Sequence, residues 1–292
     1  MVRIHAIQTG RVKVRQAQRV AKGRGVARIA NMLFDPEWTE WLPVFAWAIE
    51  LGDKVVLVDT GETARVHERG YHPSWHPFYR RAVRFEVAPG DEVGPQLHEI
   101  GIDPRDISLV ILTHLHTDHA GGLRHVVGSR CLVHAGELRR AQGLAGRLNG
   151  YLPQRWPRFW LPEAIQFDAC PVGPFEQSAE VTGTGEILII PTPGHTPGHV
   201  SVLVQGSPSV LLAGDATYEQ DLLMSDKVDG VTMDEAAARR TLGNIRDLAR
   251  ERPLVCLPSH DPGCVARLEN QSILVSCSRV VPSQIDSASA LK

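Results

Sequence analysis

The chain has 292 residues, of which 43% are hydrophobic and 22% are charged, and its formal net charge is −2. This length can bury a sizeable core, and the balanced charge argues against a protein whose main partner is a nucleic acid. The five cysteines form no Cys-x-x-Cys pair, which favours reduced thiols over a disulfide framework.

The chain begins with a predicted strand over residues 2–15. Every charged residue before Asp35 is basic, and Arg11, Lys13 and Arg15 alternate with valines. We interpret these cations as the solvated face of a strand rather than as a patch for a membrane or a nucleic acid. No continuous apolar segment follows the first methionine, so we expect no signal peptide, a cytoplasmic location and no membrane partner.

Hairpins and helices follow in alternation. Residues 44–50 and 55–58 predict two strands joined by a tight turn. Residues 92–100 predict a helix that ends at Gly101 and leads into an apolar strand at 107–112.

The second half of the chain repeats this pattern. Strands are predicted at 186–191, 201–205 and 209–213, and a helix begins after Asp234 as its N-cap. Apolar residues at helical spacing predict the buried face of that helix: Ala238, Leu242, Ile245 and either Leu248 or Ala249. This order indicates an α/β organisation with hairpins rather than a doubly wound parallel sheet.

Two aromatic, proline-containing segments lie outside this pattern, at 32–42 and 151–162. Such loops either line an apolar ligand channel or pack on the core, and the sequence leaves both interpretations open. A third loop carries His72 and His76, each followed by proline. No other motif requires these two imidazoles as metal ligands, so we expect them at the surface or at the rim of a pocket.

The densest chemical signal directly follows the predicted strand 107–112. The segment from His114 to His119 places three imidazoles and a carboxylate within six residues. Neutral imidazole and carboxylate oxygen are ligands that Zn²⁺ and its first-row neighbours take from proteins. Alternate residues of an extended segment point the same way, so His114 and His116 can reach one ion. Asp118 and His119 are then free to reach a second ion.

Three further candidate ligands lie far downstream, just past the ends of other apolar runs: His195, Asp215 and His260. A rigid sheet whose strand ends converge can hold ligands from distant parts of a chain, and glycines beside His195 and Asp215 allow close backbone approach. The sequence therefore predicts one metal centre assembled from several strand ends.

The order of these motifs resembles the metallo-β-lactamase superfamily, and within it the N-acyl homoserine lactonase group. Also similar are Val58-Asp59-Thr60-Gly61 and the tyrosine at 218, three residues after Asp215. The resemblance implies an α/β fold of the αββα sandwich type, with two mixed sheets flanked by helices. We expect one metallo-hydrolase domain over 1–270, followed by a peripheral strand and tail over 271–292.

The resemblance also implies two divalent metal ions per chain. His114, His116 and His195 would hold the first ion, and Asp118, His119 and His260 would hold the second. Asp215 would bridge both ions. Zinc is the first expectation, but ligands that are all nitrogen or oxygen also admit manganese, iron or cobalt.

The implied reaction is the opening of a lactone ring, with an N-acyl homoserine lactone as the specific expectation, by attack of a hydroxide that bridges the two metals. Asp118 would protonate the departing alkoxide, and Tyr218 would donate a hydrogen bond to the carbonyl oxygen. Asp59 would either orient a ligand imidazole or cap a bend.

Four alternatives remain open at this stage. A thioester or aryl ester hydrolase of the glyoxalase II type shares all seven ligands, although Tyr218 favours a lactonase. A phosphodiesterase or nuclease is a further possibility, but the sequence predicts no basic surface of the kind that would favour it. A metal-binding protein without turnover would leave Asp118 and Tyr218 unexplained. Pairing of two chains as a homodimer is also left open.

Overall fold

Two sheets packed face to face form the centre of the molecule, described for residues 2–274 in a computed structural model. The first sheet has seven strands in the order β4-β1-β2-β3-β5-β6-β7. Its strands are β1 Val2–Val14, β2 Leu42–Leu51, β3 Lys54–Val58, β4 Val83–Glu86, β5 Ile107–Ile111, β6 Arg130–Val133 and β7 Glu163–Ala164. Strands β3, β5, β6 and β7 run parallel, whereas β1 pairs antiparallel with β2 and β4.

The second sheet has five strands in the order β12-β11-β10-β9-β8. They are β8 Ala179–Glu180, β9 Ile187–Pro191, β10 Val200–Val204, β11 Ser209–Gly214 and β12 Leu254–Pro258. Only β11 and β12 pair in parallel. Both sheets are therefore mixed, as the sequence predicts.

Helices cover the outer faces of the two sheets. The α-helices are α1 Gln16–Arg19, α2 Gly25–Phe34, α3 Pro77–Arg81, α4 Val93–Glu99, α5 Thr117–Ala120, α6 Ala135–Arg140, α7 Gly143–Leu148, α8 Gln220–Met224, α9 Glu235–Glu251 and α10 Cys264–Glu269. No helix among residues 2–274 is long and apolar enough to cross a membrane.

Apolar side chains fill the space between the sheets and beneath the helices. The central cluster joins Trp47 and Ile111 of the first sheet to Ile189 and Val202 of the second. A separate cluster lies under α4, and another packs α9 on the second sheet through Leu242. Burial of these faces drives the αββα layering.

The predicted elements agree with these bounds to within one or two residues. The hairpin turn between β2 and β3 contains Gly52 at a φ of 63°, a conformation that glycine adopts without steric cost. Asp234 caps α9, because its carboxylate accepts a hydrogen bond from the Ala237 amide at 2.9 Å. Ala238, Leu242 and Ile245 of the predicted apolar face are buried, as are both candidates for its last position, Leu248 and Ala249.

The aromatic segments have two different roles. In segment 151–162, Tyr151 is fully buried and the partly buried Trp156 and Trp160 pack against the cluster under α4, so these three aromatic side chains support the core. Segment 32–42 begins in α2, and Met32 lines a cavity. The peripheral strand predicted within 271–292 falls largely outside the described residues, and residues 271–274 contain no strand.

Candidate metal centre

The candidate ligands follow the ends of four strands, as predicted. β5 leads to His114, β9 leads to His195, β11 leads to Asp215 and β12 leads to His260. Gly214 has a φ of 56°, and a Cβ at this position would lie 2.9 Å from the Thr113 Cβ. Only glycine therefore lets β11 turn toward β5 at this close distance.

Three imidazoles converge on the first predicted metal position. The His116 Nδ1 lies 3.0 Å from the His114 Nε2 and 3.1 Å from the His195 Nε2. Nitrogens bound to one tetrahedral ion at about 2.0–2.1 Å would lie roughly 3.3 Å apart. The spacing of these three nitrogens therefore fits a single ion.

The second predicted position lies beside the first. The His260 Nε2 lies 3.6 Å from an Asp118 oxygen, and ligand atoms of Asp118, His119 and His260 lie within 4.8 Å of one another. Asp215 lies between the two groups. Its Oδ1 is 3.4 Å from the His119 Nε2, whereas its Oδ2 is 3.5 Å from the His195 Nε2. Each carboxylate oxygen thus faces one of the two positions.

In each ligand imidazole, the nitrogen that faces away from the centre has its own hydrogen-bond acceptor. His119 donates through Nδ1 to Asp59 at 2.8 Å, and His195 donates through Nδ1 to Asp229 at 3.2 Å. His260 donates through Nδ1 to the Pro43 carbonyl at 2.9 Å. When that outward nitrogen carries the proton of a neutral ring, the remaining nitrogen of the ring is an acceptor that faces the centre.

The two other imidazoles follow the same rule. The His116 Nε2 donates to the Asn149 carbonyl at 3.2 Å. The His114 Nδ1 lies 3.1 Å from the Thr113 hydroxyl, which itself donates to Asp59. Five lone pairs and two carboxylates therefore point into one buried space. Such an arrangement is unfavourable without a cation and is well suited to two of them.

Two buried atoms at the centre support this conclusion. The His119 Nε2 and the Asp215 Oδ1 have no hydrogen-bond partner among the described residues. Buried polar atoms are almost always paired, so their pairing with metal ions is the expected explanation. The residues of the site thus fit a pair of divalent cations.

The electrostatic setting keeps several ligands in their metal-binding forms. Burial and the neighbouring imidazole of His195 lower the pKa of His116 to about 3, and burial together with His119 lowers the pKa of His114 well below its usual range. Burial alone would raise the pKa of Asp215, but the imidazoles of His260 and His119 outweigh it and hold that pKa far below normal. His114 and His116 are therefore neutral and Asp215 is ionised near pH 7.

Tyr218 and Asp118 lie at the floor of a cavity of about 570 Å³ that opens above the centre. The Gln18 amide donates to the Tyr218 hydroxyl at 3.3 Å, and the Tyr218 ring lies 5.1 Å from the His260 ring. Burial raises the pKa of Tyr218 well above its usual value, so its hydroxyl keeps its proton. Since Gln18 occupies an acceptor position of that hydroxyl, the proton is free to bond a ligand.

The cavity walls are mostly apolar. They include Val12 and Val14 of β1, Ile29 and Met32 of α2, and Phe85 of β4. His76 also lines the cavity, and His72 stacks on Tyr79 at 4.2 Å between ring centroids. Neither imidazole joins the metal ligands, which agrees with the predicted rim location of this loop.

Sequence reasoning anticipated Asp59 but missed Asp229 and Gln18. Asp59 accepts hydrogen bonds from His119 and from the Thr113 amide, so it orients a ligand imidazole; at a φ of 60° it also forms the bend. Asp229 lies in a loop between α8 and α9, and no motif distinguishes it from other loop aspartates. Gln18 comes from the opposite end of the chain, 200 residues from Tyr218.

The fold and the ligand geometry define a binuclear metallo-hydrolase scaffold. The metallo-β-lactamase superfamily model matches residues 39–260, and the chain belongs to this superfamily.

Within that superfamily the chain is similar to proteins named N-acyl homoserine lactonase. The AiiB lactonase of Agrobacterium fabrum (strain C58 / ATCC 33970) is 29% identical over 225 residues, which cover 75% of this chain and 80% of that protein. The lactonase of Bacillus cereus is 27% identical over 219 residues, which cover 73% of this chain and 80% of that protein.

Solved structures extend the same likeness. An N-acyl homoserine lactone hydrolase with N-hexanoyl-L-homoserine bound at its catalytic metal centre superposes with a TM-score of 0.70 at 22% identity, covering 89% of this chain and 93% of that chain. AidC, described as a dizinc quorum-quenching lactonase, gives a TM-score of 0.61 at 14% identity over about nine-tenths of each chain. At these identities the structures support the fold alone.

Proposed function

We propose that this protein is a dinuclear metal-dependent lactonase that hydrolyses N-acyl homoserine lactones. The observation that carries the proposal is the convergence of five imidazole lone pairs and two carboxylates, with Asp215 between two positions, at the floor of a mainly apolar cavity. The relatives with similar sequences are named for this activity.

We assign His114, His116 and His195 to one ion, Asp118, His119 and His260 to the other, and Asp215 to both. Two bound divalent cations would supply a nucleophile from water near neutral pH and polarise the carbonyl under attack. We propose zinc for both positions, because the ligands are imidazole and carboxylate and one structural relative is described as dizinc. Elemental analysis of the isolated protein tests this assignment.

The protein residues would contribute binding, polarisation and proton transfer. The Tyr218 hydroxyl would donate a hydrogen bond to the lactone carbonyl oxygen as that oxygen gains charge. When the ring C–O bond breaks, the departing alkoxide must receive a proton. Asp118 lines the cavity and its side chain is 17% exposed, so it would accept the proton released by the attacking water and pass it to the alkoxide.

The cavity would bind the acyl chain. Val12, Val14, Ile29 and Met32 of the cavity wall offer apolar contact to the chain, whereas the small lactone head would lie over Asp118 and Tyr218. Burial of methylene groups in such a wall stabilises a bound acyl chain by about 0.8 kcal/mol for each group.

A hydrolysis screen of metal-loaded protein tests the function. The panel contains short-chain and long-chain N-acyl homoserine lactones, simple γ- and δ-lactones, aryl esters and a glutathione thioester, and chelated protein serves as the control. We expect the highest kcat/KM on an acyl homoserine lactone. Preference for the thioester would instead identify a hydrolase of the glyoxalase II type.

A further inference from the structure

Apolar side chains are exposed on the helices around the cavity mouth. No residue of α2 is buried, and its Val26, Ile29 and Phe34 are 83%, 55% and 60% exposed. Leu144 and Leu148 of α7 are exposed to a similar degree. Ile29 and Leu148 also line the cavity, so this apolar surface continues into it. Soluble proteins rarely expose grouped large apolar side chains unless they meet a partner.

Positive charge is concentrated in the segments that carry this surface. Residues 11–34, 69–85 and 138–162 contain seven, four and five cations and no Asp or Glu. They hold sixteen of the 31 cations, so the rest of the chain carries fifteen cations against all 33 acids. Each segment contributes residues to the cavity wall. These segments are therefore basic although the net charge is small, and acids of other segments pair with only four of their cations, Arg11, Arg19, Lys22 and Arg28, among residues 2–274.

Direct contacts connect the three segments around the mouth. The Arg15 Nε donates to the Arg81 carbonyl at 2.9 Å, and the Arg81 guanidinium lies 5.1 Å from the centre of the Phe34 ring. The Tyr79 hydroxyl donates to the Gly150 carbonyl at 2.6 Å. The basic and apolar side chains thus share one continuous region of the surface.

Many of these cations lack an acidic partner. Arg11 pairs with Glu86, and Arg19 pairs with Glu219. In contrast, six exposed arginines near the mouth form no ion pair among residues 2–274: Arg24, Arg80, Arg81, Arg84, Arg139 and Arg147. We call these six arginines, together with helices α2, α3 and α7, the mouth face.

We propose that the mouth face docks on an anionic lipid surface. The arginines would bind the lipid phosphates, while Val26, Phe34 and Leu144 would insert among the acyl chains. This proposal revises the expectation of no membrane partner that was drawn from the sequence.

Charge makes a lipid surface a better occupant than a second copy of the chain. In a twofold contact the same patch meets itself, so six unpaired arginines would face six others. A nucleic acid would satisfy the charges but would leave the apolar side chains of α2 and α7 without a partner. Docking would also place the cavity mouth where an amphiphilic substrate with an apolar chain is concentrated.

Vesicle flotation tests the proposal independently of catalysis. The metal-loaded protein is mixed with vesicles of phosphatidylcholine alone, or of phosphatidylcholine with phosphatidylglycerol, at low and high salt. We expect flotation only with phosphatidylglycerol and a weakening of binding at high salt. Equal binding to both lipids, or none to either, would overturn the proposal.

A charge-reversal variant and a matched control locate the basic part of the contact. In the combined variant R80E/R81E/R84E the partition coefficient should fall by roughly 100-fold or more, because each basic residue at an anionic surface contributes about fivefold. The control R3E/K54E/R240E changes the net charge equally on exposed residues outside the three segments and should bind almost as wild type. Equal losses in both variants would show that only the net charge matters and would contradict docking through this face.

The apolar contribution needs its own variant. V26S/L144S alters two exposed side chains that do not line the cavity, so hydrolysis of a short, soluble lactone should not change. Its vesicle binding should fall several-fold, most clearly at high salt, where the charges are screened. If wild type instead sediments as a dimer that V26S/L144S dissociates, and does not float with vesicles, the face is an interface between copies and the lipid proposal is wrong.

Discussion

The metal centre lies at strand ends and is made of ligands that are almost all buried, whereas the cavity mouth is made of short helices whose apolar side chains are largely exposed. At the centre, the outward nitrogen of every ligand imidazole has its own acceptor. At the mouth, several arginines form no ion pair within the described chain, and several large apolar side chains are more than half exposed. The outward hydrogen bonds of the ligand imidazoles are therefore satisfied within the chain, whereas the cavity mouth is suited to contact other molecules.

This difference follows from what each region must do. A metal centre gains from rigid ligands, because misplacement by a fraction of an ångström weakens coordination. A mouth that admits an amphiphilic substrate gains from exposed apolar surface, which costs stability but provides contact area. The following expected outcomes probe the two regions, beginning with the centre.

Removal of the shared carboxylate should have the largest effect. Asp215→Ala should lower the occupancy of both metal positions together and reduce turnover by about 10³-fold or more, because each bound ion contributes several kcal/mol to the transition state. Elemental analysis and lactone hydrolysis measure both effects. His260→Ala is the matched comparison and should empty mainly the second position; loss of only one ion in Asp215→Ala would show that this carboxylate does not bridge.

Loss of proton delivery should cause the next largest fall in activity. Asp118→Asn keeps an oxygen that can bind metal but cannot carry the proton, so kcat should fall by about 10²-fold. Metal content should fall much less, as measured by elemental analysis of the same preparation. Turnover close to that of wild type with both ions retained would leave Asp118 as a ligand without a catalytic role.

Substitution of the two aspartates that orient ligand imidazoles should weaken the two metal positions individually. Asp229→Asn weakens the acceptor for His195, and Asp59→Asn weakens the acceptor for His119. Each substitution should lower affinity at its own position by about 10- to 100-fold. Competition with a chromophoric chelator reports the two affinities. Equal weakening of both positions by either variant would show that these carboxylates act on the fold rather than on one ligand.

Tyr218 should have a smaller effect, because a metal ion would share the charge on the carbonyl oxygen. Tyr218→Phe removes the hydroxyl but keeps the ring against His260, so kcat/KM on a lactone should fall by roughly 10-fold. Metal content and thermal stability should not change. Unaltered kinetics would make Tyr218 a packing residue and remove its support for a lactone over a thioester.

A substitution in the cavity wall should have the smallest effect on kcat/KM, and only for long-chain substrates. Ile29→Ser removes apolar surface from the wall but is remote from the ligands, so kcat/KM for a long-chain lactone should fall by about 3- to 10-fold. The value for a short-chain lactone should stay the same. A uniform loss for both substrates would place Ile29 closer to the reaction than the cavity geometry indicates.

The sequence alone predicted strands β1, β2, β3, β5, β9, β10, β11 and β12, the helix α9 and a set of candidate metal ligands, because these features carry strong local patterns. The apolar runs of β5, β9, β11 and β12 predict strands, and ligand residues directly after them predict a shared edge. The dense motif from His114 to His119 has few structural explanations other than metal binding.

Only the tertiary structure decided which residues surround that centre. Asp229 and Gln18 reach His195 and Tyr218 through contacts between segments far apart in the chain, and no local pattern marks such contacts. The two aromatic segments look alike in sequence, yet Trp156 and Trp160 pack against the core, whereas Met32 lies in the cavity wall. The positive face likewise arises because three acid-free segments meet at one mouth. Local patterns depend on spacing along the chain, whereas a pocket depends on which distant segments pack together.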